Sequence, residues 1–559
     1  MDDERTIQER VMQRLGALQQ ERSSWMPHYL DCSTYVQPRS GRHFVTDRNR
    51  GQMSQYNKIY DNTATRALGV LGAGLMGGAT SPARPWFRLS TPDTDLMRSE
   101  RVKIWLNNVS RKMLYIFQRS NTYRSLHSIY EELGLFGTGV SLFMDDFQDV
   151  VRHYPLTAGD YCIATDFRGV CDTMFREFQT TVGAAVGEFG YNNCSQAVKN
   201  LYNAKNYDAW VTVVHAIEPR RDRDNAKRDA KNMAYRSVYF EKGGDEGRLL
   251  RESGYKSFRA LAPRWVVRSG DTYGHSPTME ALGDIKQLQH EQLRKAEAID
   301  YMTKPLLQVP AALKNKEIDR FPGGIIPVDS NGNTNAIRSA FDVNLNLQHL
   351  REDVMDVRGR IRSTYYTDLF LMLANDRDRT MTATEVAERH EEKLLMLGPV
   401  LERLHNELLE PLIDLTFQRM LEASLVPPPP EELQGQELNV EFVSMLAQAQ
   451  RAVATNSVDR YVANLGAVAA NKPDVLDKFD ADYWAEAYAD MLGVDPEFIV
   501  ADDKVALIRQ NRAKQQQAAQ QAAMAEQVAG AAHKLSNAPM GQNTALDAVI
   551  NQFSGYAGA

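Results

Sequence analysis

Two long helical patterns, separated by a segment rich in helix-breaking residues, constrain the fold of this chain more than any other feature. Ser276 fits a helix N-cap and Pro277 a first helical position, and the helix is expected to run to about Lys304. At 1.5 Å per residue it is roughly 40 Å long. A second helix is expected over residues 345–373, after proline- and glycine-rich residues 305–345 that predict short strands and turns. The expected apolar positions are Leu282, Ile285, Leu288, Leu293 and Ile299 in the first helix, and Leu350, Val354, Val357 and Ile361 in the second.

The sequence before these helices predicts a mixture of helices and strands. Residues 3–30 have a helical pattern, and residues 101–136 contain two more. Short β-branched and aromatic runs separated by turn residues predict strands over 143–178 and 211–265. Basic and acidic residues alternate over 220–231, which favours a solvated hairpin arm and not a nucleic-acid patch. The fold class expected for the whole chain is therefore α+β and predominantly helical.

After residue 396, leucines at helical spacing predict one long buried stripe. Pro399 and Pro411 are expected to kink this helix, and Val426 to Pro430 to end it and form a stiff linker. Short helices are expected beyond the linker, stopping at Gly493, and the Ala/Gln-rich tail from Lys514 is expected to be helical or disordered. The leucines of the stripe are Leu397, Leu401, Leu404, Leu408, Leu412 and Leu415.

Composition excludes several classes of protein. With 559 residues and 43% apolar content, the chain has enough material for several connected regions. A net charge of -7 argues against a protein that coats nucleic acid, so any DNA contact should be local or transient. Four cysteines without a CxxC pair predict reduced structural thiols, and the charged N-terminus is unlike a signal peptide. The most apolar run, residues 67–80, is shorter than the ~18 residues expected of a membrane span.

No motif establishes a catalytic, cofactor or metal site. Gly72 to Gly77 match the GxGxxG fingerprint of dinucleotide-binding proteins, but a helical pattern precedes them where a strand is required. Close backbone packing by small residues is the better interpretation, although a nucleotide-binding enzyme remains the alternative. No P-loop motif occurs. His390 and Glu391 lack a second histidine one turn later, where Leu394 stands, so a zinc-protease helix is excluded. The chain is expected not to be an enzyme.

A charged loop lies directly after the second long helix. It comprises Asn375, Asp376, Arg377, Asp378, Arg379, Thr380 and Met381. Thr382 and Glu385 then have the spacing of a capping box, which fixes the start of the next helix. Such a loop is either a solvated turn, the commoner case, or a segment held out toward a binding partner.

Four motifs in a fixed order resemble the head-to-tail connector, or portal, family of short-tailed phages. They are TSPARPWFRL (80–89), LFGTGV (135–140), YGHSPTMEALGDIKQL (273–288) and TATEVAERHEEKL (382–394). The resemblance covers about residues 5–505 and includes the order of helix, insert, helix and loop. It implies a ring with heterologous interfaces, of about twelve copies, set at one capsid vertex with DNA passing through its centre.

The resemblance also implies a division of the chain into the parts of a portal subunit. These are a wing over 1–276, stem helices over 277–304 and 345–374, a clip over 305–344, a tunnel loop over 375–381, a kinked wing helix with its linker over 382–430, a crown over 431–505 and a tail over 506–559. The clip is expected to meet the packaging terminase and later the tail adaptor, through Lys314, Lys316, Glu317, Asp319 and Arg320. Major capsid, scaffolding and internal core proteins are further expected partners in the virion, and no membrane or cofactor is implied.

The composition of the charged loop adds a physical argument to the resemblance. A conduit must let DNA slide, and strong phosphate affinity would stall it. Asp376 to Arg379 alternate in sign and sum to zero charge, so we hypothesise that Arg377 and Arg379 touch phosphates briefly while the aspartates limit retention. A coiled-coil scaffold protein is a third alternative, but sustained heptads are absent.

Overall fold

The computed structural model describes residues 6–43, 58–93, 96–224, 226–227, 229–303, 307–308, 338–339, 347–374, 397–436, 438–444, 446, 461–469, 472–492, 500 and 502–536. The chain divides into two compact units, Met1–Gly493 and Val494–Ala559. Its fold is α+β and mainly helical, as the sequence predicts. The named α-helices are α1 Ile7–Ser23, α2 Met26–Tyr35, α3 Thr63–Ala79, α4 Glu100–Arg119, α5 Thr122–Phe136, α6 Val182–Phe189, α7 Gln196–Asn203, α8 Pro277–Thr303, α9 Leu347–Thr364, α10 Thr367–Ala374, α11 Glu410–Glu422, α12 Ala481–Leu492 and α13 Asp502–Ser536.

The strands of the described residues form four antiparallel sheets. They are β1 Phe87–Ser90, β2 Val140–Asp146, β3 Val150–Leu156, β4 Tyr161–Thr165, β5 Cys171–Thr181, β6 Trp210–Pro219, β7 Tyr235–Glu241, β8 Arg251–Tyr255, β9 Ala260–Leu261, β10 Leu307–Gln308, β11 Arg338–Ser339 and β12 Asn439–Phe442. The largest sheet has the order β4-β5-β6-β7-β8, and a three-stranded sheet has the order β3-β2-β9. The expected α+β region is thus confirmed. Residues 221–224, within the predicted arm, are exposed in the loop that joins β6 to β7.

The N-terminal helix predicted as one element is two. Helix α1 is capped by Thr6, whose hydroxyl accepts from the Glu9 amide while the Glu9 carboxylate accepts from the Thr6 amide. The chain breaks at Ser24 and restarts as α2, because Pro27 has no amide with which to continue the hydrogen-bond ladder. The two helices predicted over 101–136 are present as α4 and α5. Their predicted apolar faces are buried, comprising Val102, Trp105, Val109, Met113 and Ile116, then Leu126, Ile129, Leu133 and Phe136.

The first long helix matches its prediction closely, and the second is interrupted. Helix α8 is continuous over 27 residues. The second element divides into α9 and α10, because Tyr366 takes a left-handed conformation with a φ of 54°. Tyr365, beside the break, is fully buried, and the Thr367 hydroxyl donates to the Arg362 carbonyl at 3.0 Å. The complete burial of Tyr365 at this point therefore outweighs a helical pattern that runs through it.

The leucine stripe is buried as predicted. All six leucines are at most 3% exposed. The helix widens into a π-helical turn at His405–Leu409, which ends two residues before Pro411. Pro411 lacks the amide that a regular turn would use. It ends at Glu422, earlier than the predicted proline stop, and Ser424 is left-handed with a φ of 55°. The linker lies on α4, where Trp105 donates from Nε1 to the Pro427 carbonyl at 3.1 Å.

The pairing between β1 and β12 has no local signal in the sequence. Phe87 pairs with Phe442 and Ser90 with Asn439, across more than 300 residues of sequence. Leu433 and Leu446, on either side of β12, are buried in the same core as α3 and α4. The first part of the segment beyond the proline linker therefore packs against the body of this unit.

The remaining C-terminal helices follow the sequence prediction. Helices occupy 461–469 and α12, which ends directly before Gly493. Trp484 and Tyr488 stack within α12 with ring centroids 5.0 Å apart. The Ala/Gln-rich tail is helical as α13. Among the helices that the structure describes, none combines the length and apolarity that crossing a bilayer would require.

Candidate anchor of the two long helices

The loop and clip residues predicted as sites lie outside the described residues. This applies to the tunnel loop from Asn375 to Met381, to the five expected docking residues from Lys314 to Arg320, and to the capping box at Thr382 and Glu385. The ends of the breaker-rich segment are described as two short strands. Leu307 pairs with Ser339 and Gln308 with Arg338, antiparallel, so the segment leaves and returns at one place.

What the structure does describe is how the two long helices are fixed to the body. Two of the motifs that carry the family resemblance, LFGTGV and YGHSPT, meet at this point. Gly137 is left-handed with a φ of 77°, and a Cβ there would lie 2.7 Å from the His275 carbonyl carbon and closer still to the Gly274 carbonyl oxygen. The Gly274 amide donates to the Thr138 hydroxyl at 2.8 Å. Only glycine at both positions permits this backbone approach.

The same junction caps α8. The Ser276 hydroxyl accepts from the Met279 amide at 3.0 Å, which confirms the predicted N-cap, and donates to the Leu135 carbonyl at 2.9 Å. The Thr278 hydroxyl donates to the Gly134 carbonyl at 2.7 Å and lies 2.6 Å from the Tyr365 hydroxyl. The start of the first long helix is thus bonded both to the end of α5 and to the break between α9 and α10.

One buried aspartate, through its carboxylate and its backbone, ties both long helices to the N-terminus of α3. Asp61, 7% exposed, accepts from the Thr63 amide at 2.8 Å and from Arg358 Nη2 at 2.6 Å. Gln289 of α8 accepts from the Asp61 amide at 2.8 Å and donates to the Asp61 carbonyl at 2.8 Å. Burial raises the pKa of Asp61, but the bonds from Thr63 and Arg358 outweigh it and hold that pKa below its ordinary value. The carboxylate is therefore ionised at neutral pH and pairs with Arg358.

Further ion pairs connect the helices at partly exposed positions. Arg360 of α9 lies 3.2 Å from Asp284 of α8, and Lys286 of α8 lies 2.7 Å from Asp31 of α2. Toward its C-terminus α8 leaves the core, and Ile299, Tyr301 and Met302 are each more than 40% exposed. The helix pair is held firmly at one end and presents apolar side chains at the other.

The glycine-rich segment is a packing surface. Gly72 to Gly77 lie inside α3, which begins at Thr63, so a helix and not a strand leads into them. A Cβ at Gly74 would lie 2.7 Å from the Phe370 Cβ and closer to two of its ring carbons, and one at Gly72 would lie 3.0 Å from Glu131 Cγ. The interpretation as close backbone packing is confirmed, and the amides of a helix interior are not free to bind a pyrophosphate.

The cysteines and carboxylates of the described residues form no metal site. Cys32, Cys162, Cys171 and Cys194 are free thiols, and burial raises the pKa of Cys32 to about 12. Within the described ranges, no group of three or more His, Cys, Asp or Glu side chains is placed to hold a metal ion.

Comparison with known proteins agrees with the resemblance carried by the motifs. A family model described as bacteriophage head to tail connecting protein matches residues 8–500. A probable portal protein of Bordetella phage BPP-1 is 61% identical over 553 residues, covering 99% of this chain and all of that protein. A portal protein of Salmonella phage epsilon15 is 45% identical over 547 residues, covering 98% of each chain.

Proposed function

The chain belongs to the bacteriophage head-to-tail connecting protein family, and from this premise we propose that it is the portal protein of a phage head. In this role it forms a ring at one capsid vertex, and double-stranded DNA enters and leaves through the ring. The role is structural, since the energy for transport would come from another protein, the terminase. Nothing in the packing of Gly72–Gly77 favours the nucleotide-binding alternative.

The observation that best supports the proposal is the anchoring of the two long helices. Residues of two of the family motifs fix the start of α8 to α5 and to the end of α9. The far end of α8 exposes Ile299, Tyr301 and Met302, which a neighbouring copy in a ring would cover. In a closed ring each copy uses two different faces, so apolar surface exposed on one copy is expected.

The parts of the subunit are assigned by this proposal as the family resemblance implies. Helices α8 and α9 with α10 are the stem, residues 305–344 the clip, and residues 375–381 the tunnel loop. The clip docks the terminase and then the tail adaptor. The short pairing of β10 with β11 supports a clip that leaves and rejoins the stem at one place.

Imaging of the purified chain tests the proposal. We expect closed rings with a central hole, of about twelve copies, by negative-stain microscopy, and the same copy number by native mass spectrometry. The proposal is contradicted if the chain remains a compact monomer at concentrations at which related portal proteins are fully assembled into rings.

The tunnel loop is proposed to contact DNA without retaining it. We expect Arg377→Glu and Arg379→Glu to leave ring assembly intact while changing the amount of DNA packaged or retained, because each reverses a charge next to passing phosphates. Packaged DNA is measured by nuclease protection in particles assembled with each variant.

A matched variant controls for the charge change itself. Arg223→Glu makes the same reversal on the exposed arm between β6 and β7 and should leave packaging unchanged. Normal packaging and normal retention in both loop variants would overturn this role for the loop, without affecting the ring.

A further inference from the structure

Two hairpins of the wing region end in the same five-residue pattern. Asp146-Phe147-Gln148-Asp149-Val150 joins β2 to β3, and Asp166-Phe167-Arg168-Gly169-Val170 joins β4 to β5. The two phenylalanines are the most exposed large apolar side chains of the described residues, at 100% and 98%. Two exposed aromatic rings on similar turns indicate a surface that is covered in an assembly.

The Phe147 tip is held rigidly. Asp146 accepts from the amides of Gln148 at 2.7 Å and Asp149 at 3.3 Å, and these bonds, Gln148 first, hold the pKa of Asp146 below its ordinary value. Val150 takes a left-handed φ of 71°, a strained conformation for a β-branched residue. A turn bonded in this way limits the backbone entropy that the tip loses on binding.

The Phe167 hairpin instead forms one rim of a cleft of about 1030 Å³. Its opposite wall is helical, formed by the π-helical turn and α11, and is held by Glu407, which accepts from Arg264 Nη2 at 2.7 Å. A phenylalanine ring fits readily within this volume. The apolar side chains that line the cleft include Phe167, Val170, Phe258, Val267, Pro411 and Leu415.

Charged residues that can pair with one another lie at the Phe147 tip and at the rim of the cleft. Asp146 and Asp149 flank Phe147; each has one arginine of its own chain, at 3.7 Å and 3.0 Å, and keeps lone pairs for a second donor. The loop side of the cleft presents Arg168, which pairs with Asp166 at 2.9 Å and keeps further N–H donors, and the exposed Arg268, together with Asp271; Glu402 and Asp414 lie on the helical wall. The carboxylates beside Phe147 can therefore meet Arg268 and the remaining donors of Arg168 on the rim beside Phe167.

We propose that Phe147 of one copy inserts into the cleft of the neighbouring copy, beside Phe167, and that this contact repeats around the ring. The inference rests on the ring of the proposed function and names the residues of one lateral contact within it. It needs two different surfaces of the same chain, a tip and a cleft, which is what a heterologous interface uses.

Ring stability against dilution tests the contact. Phe147→Ser should raise the concentration at which rings dissociate by about tenfold or more, since a buried aromatic anchor is lost, whereas Phe147→Leu should retain most of the stability. Tyr483→Ser, which removes a 68% exposed aromatic side chain from α12, should leave dissociation unchanged. Sedimentation velocity over a dilution series gives the measurement.

A cysteine pair locates the contact directly. In a Cys171→Ser background, which removes the native thiol of the cleft, Phe147→Cys combined with Val267→Cys should yield a ladder of covalent oligomers on a denaturing gel under mild oxidation, and neither single variant should do so. If the wild-type chain forms rings, but Phe147→Ser rings dissociate at the same concentration and the cysteine pair gives no ladder, this contact is overturned and the proposed function is not. Absence of wild-type rings would overturn the proposed function itself.

Discussion

Replacing Gly74 with alanine is expected to destabilise the protein by about 2 kcal/mol or more, although the same change in an ordinary helix interior is stabilising. A Cβ at this position would lie 2.7 Å from the Phe370 Cβ and closer to two of its ring carbons. Phe370 is 5% exposed and sits on α10, so its ring cannot turn away into solvent. Urea unfolding followed by circular dichroism measures the loss.

Another glycine of the same motif provides the control. Nothing lies within 4 Å of a Cβ built at Gly77, so Gly77→Ala should stabilise α3 by about 0.5–1 kcal/mol. A second change, Phe370→Leu, should restore part of the stability in the Gly74→Ala background, because it removes the ring that overlaps the new methyl group. If Gly74→Ala unfolds as the parent does and loses affinity for a dinucleotide, the packing interpretation fails and the enzyme alternative stands.

Local sequence signals predicted the local structure well. The cap at Ser276, the leucine stripe and the two faces of α4 and α5 depend on residues three or four positions apart, and all are present. The predictions that are wrong concern structure that is set by contacts between residues far apart in the sequence. Tyr366 breaks the second long helix because its neighbour Tyr365 bonds to Thr278, some ninety residues earlier in the chain.

The site itself was predictable only in part. The motifs that suggested the family are adjacent at the anchor, but their contact through Gly137 and Gly274 depends on backbone geometry that no spacing rule describes. Asp61 carries no local motif, and its bonds to Gln289 and Arg358 span more than 200 residues. The pattern Asp-Phe-x-x-Val at the two hairpin tips is visible in the sequence. It indicates a binding surface only once the structure shows that both phenylalanines are exposed.

Stability is expected to fall as the pH rises from about 4.5 to 8, because of one half-buried acid. Glu132 of α5 accepts from the Thr157 hydroxyl at 2.8 Å and from the Ala158 amide at 3.1 Å. Burial raises its pKa from 4.5 to about 8, outweighing the effect of these two bonds. At neutral pH the folded protein therefore holds a proton on Glu132 that the unfolded chain releases.

The sign follows from this difference in bound protons. Between pH 4.5 and 8 unfolding releases a proton, so each unit of rising pH lowers the free energy of unfolding by at most about 1.4 kcal/mol. Below pH 4.5 both states hold the proton, and above 8 neither does, so the dependence should level off at both ends. Because Glu132 is only partly shielded from solvent, we expect a total change of about 2 kcal/mol.

Glu132→Gln isolates this contribution, because glutamine resembles the protonated acid. Its carbonyl can accept from Ala158 while its amide donates to Thr157, whose hydroxyl already accepts from the Gly41 amide at 2.8 Å and has a second lone pair free. The variant should match the parent near pH 5 and exceed it by about 2 kcal/mol at pH 8.5 in urea titrations. Glu280→Gln, an exposed position on α8, should show no such divergence. Parallel curves for Glu132→Gln and the parent across this range would mean that Glu132 is ionised in the folded protein.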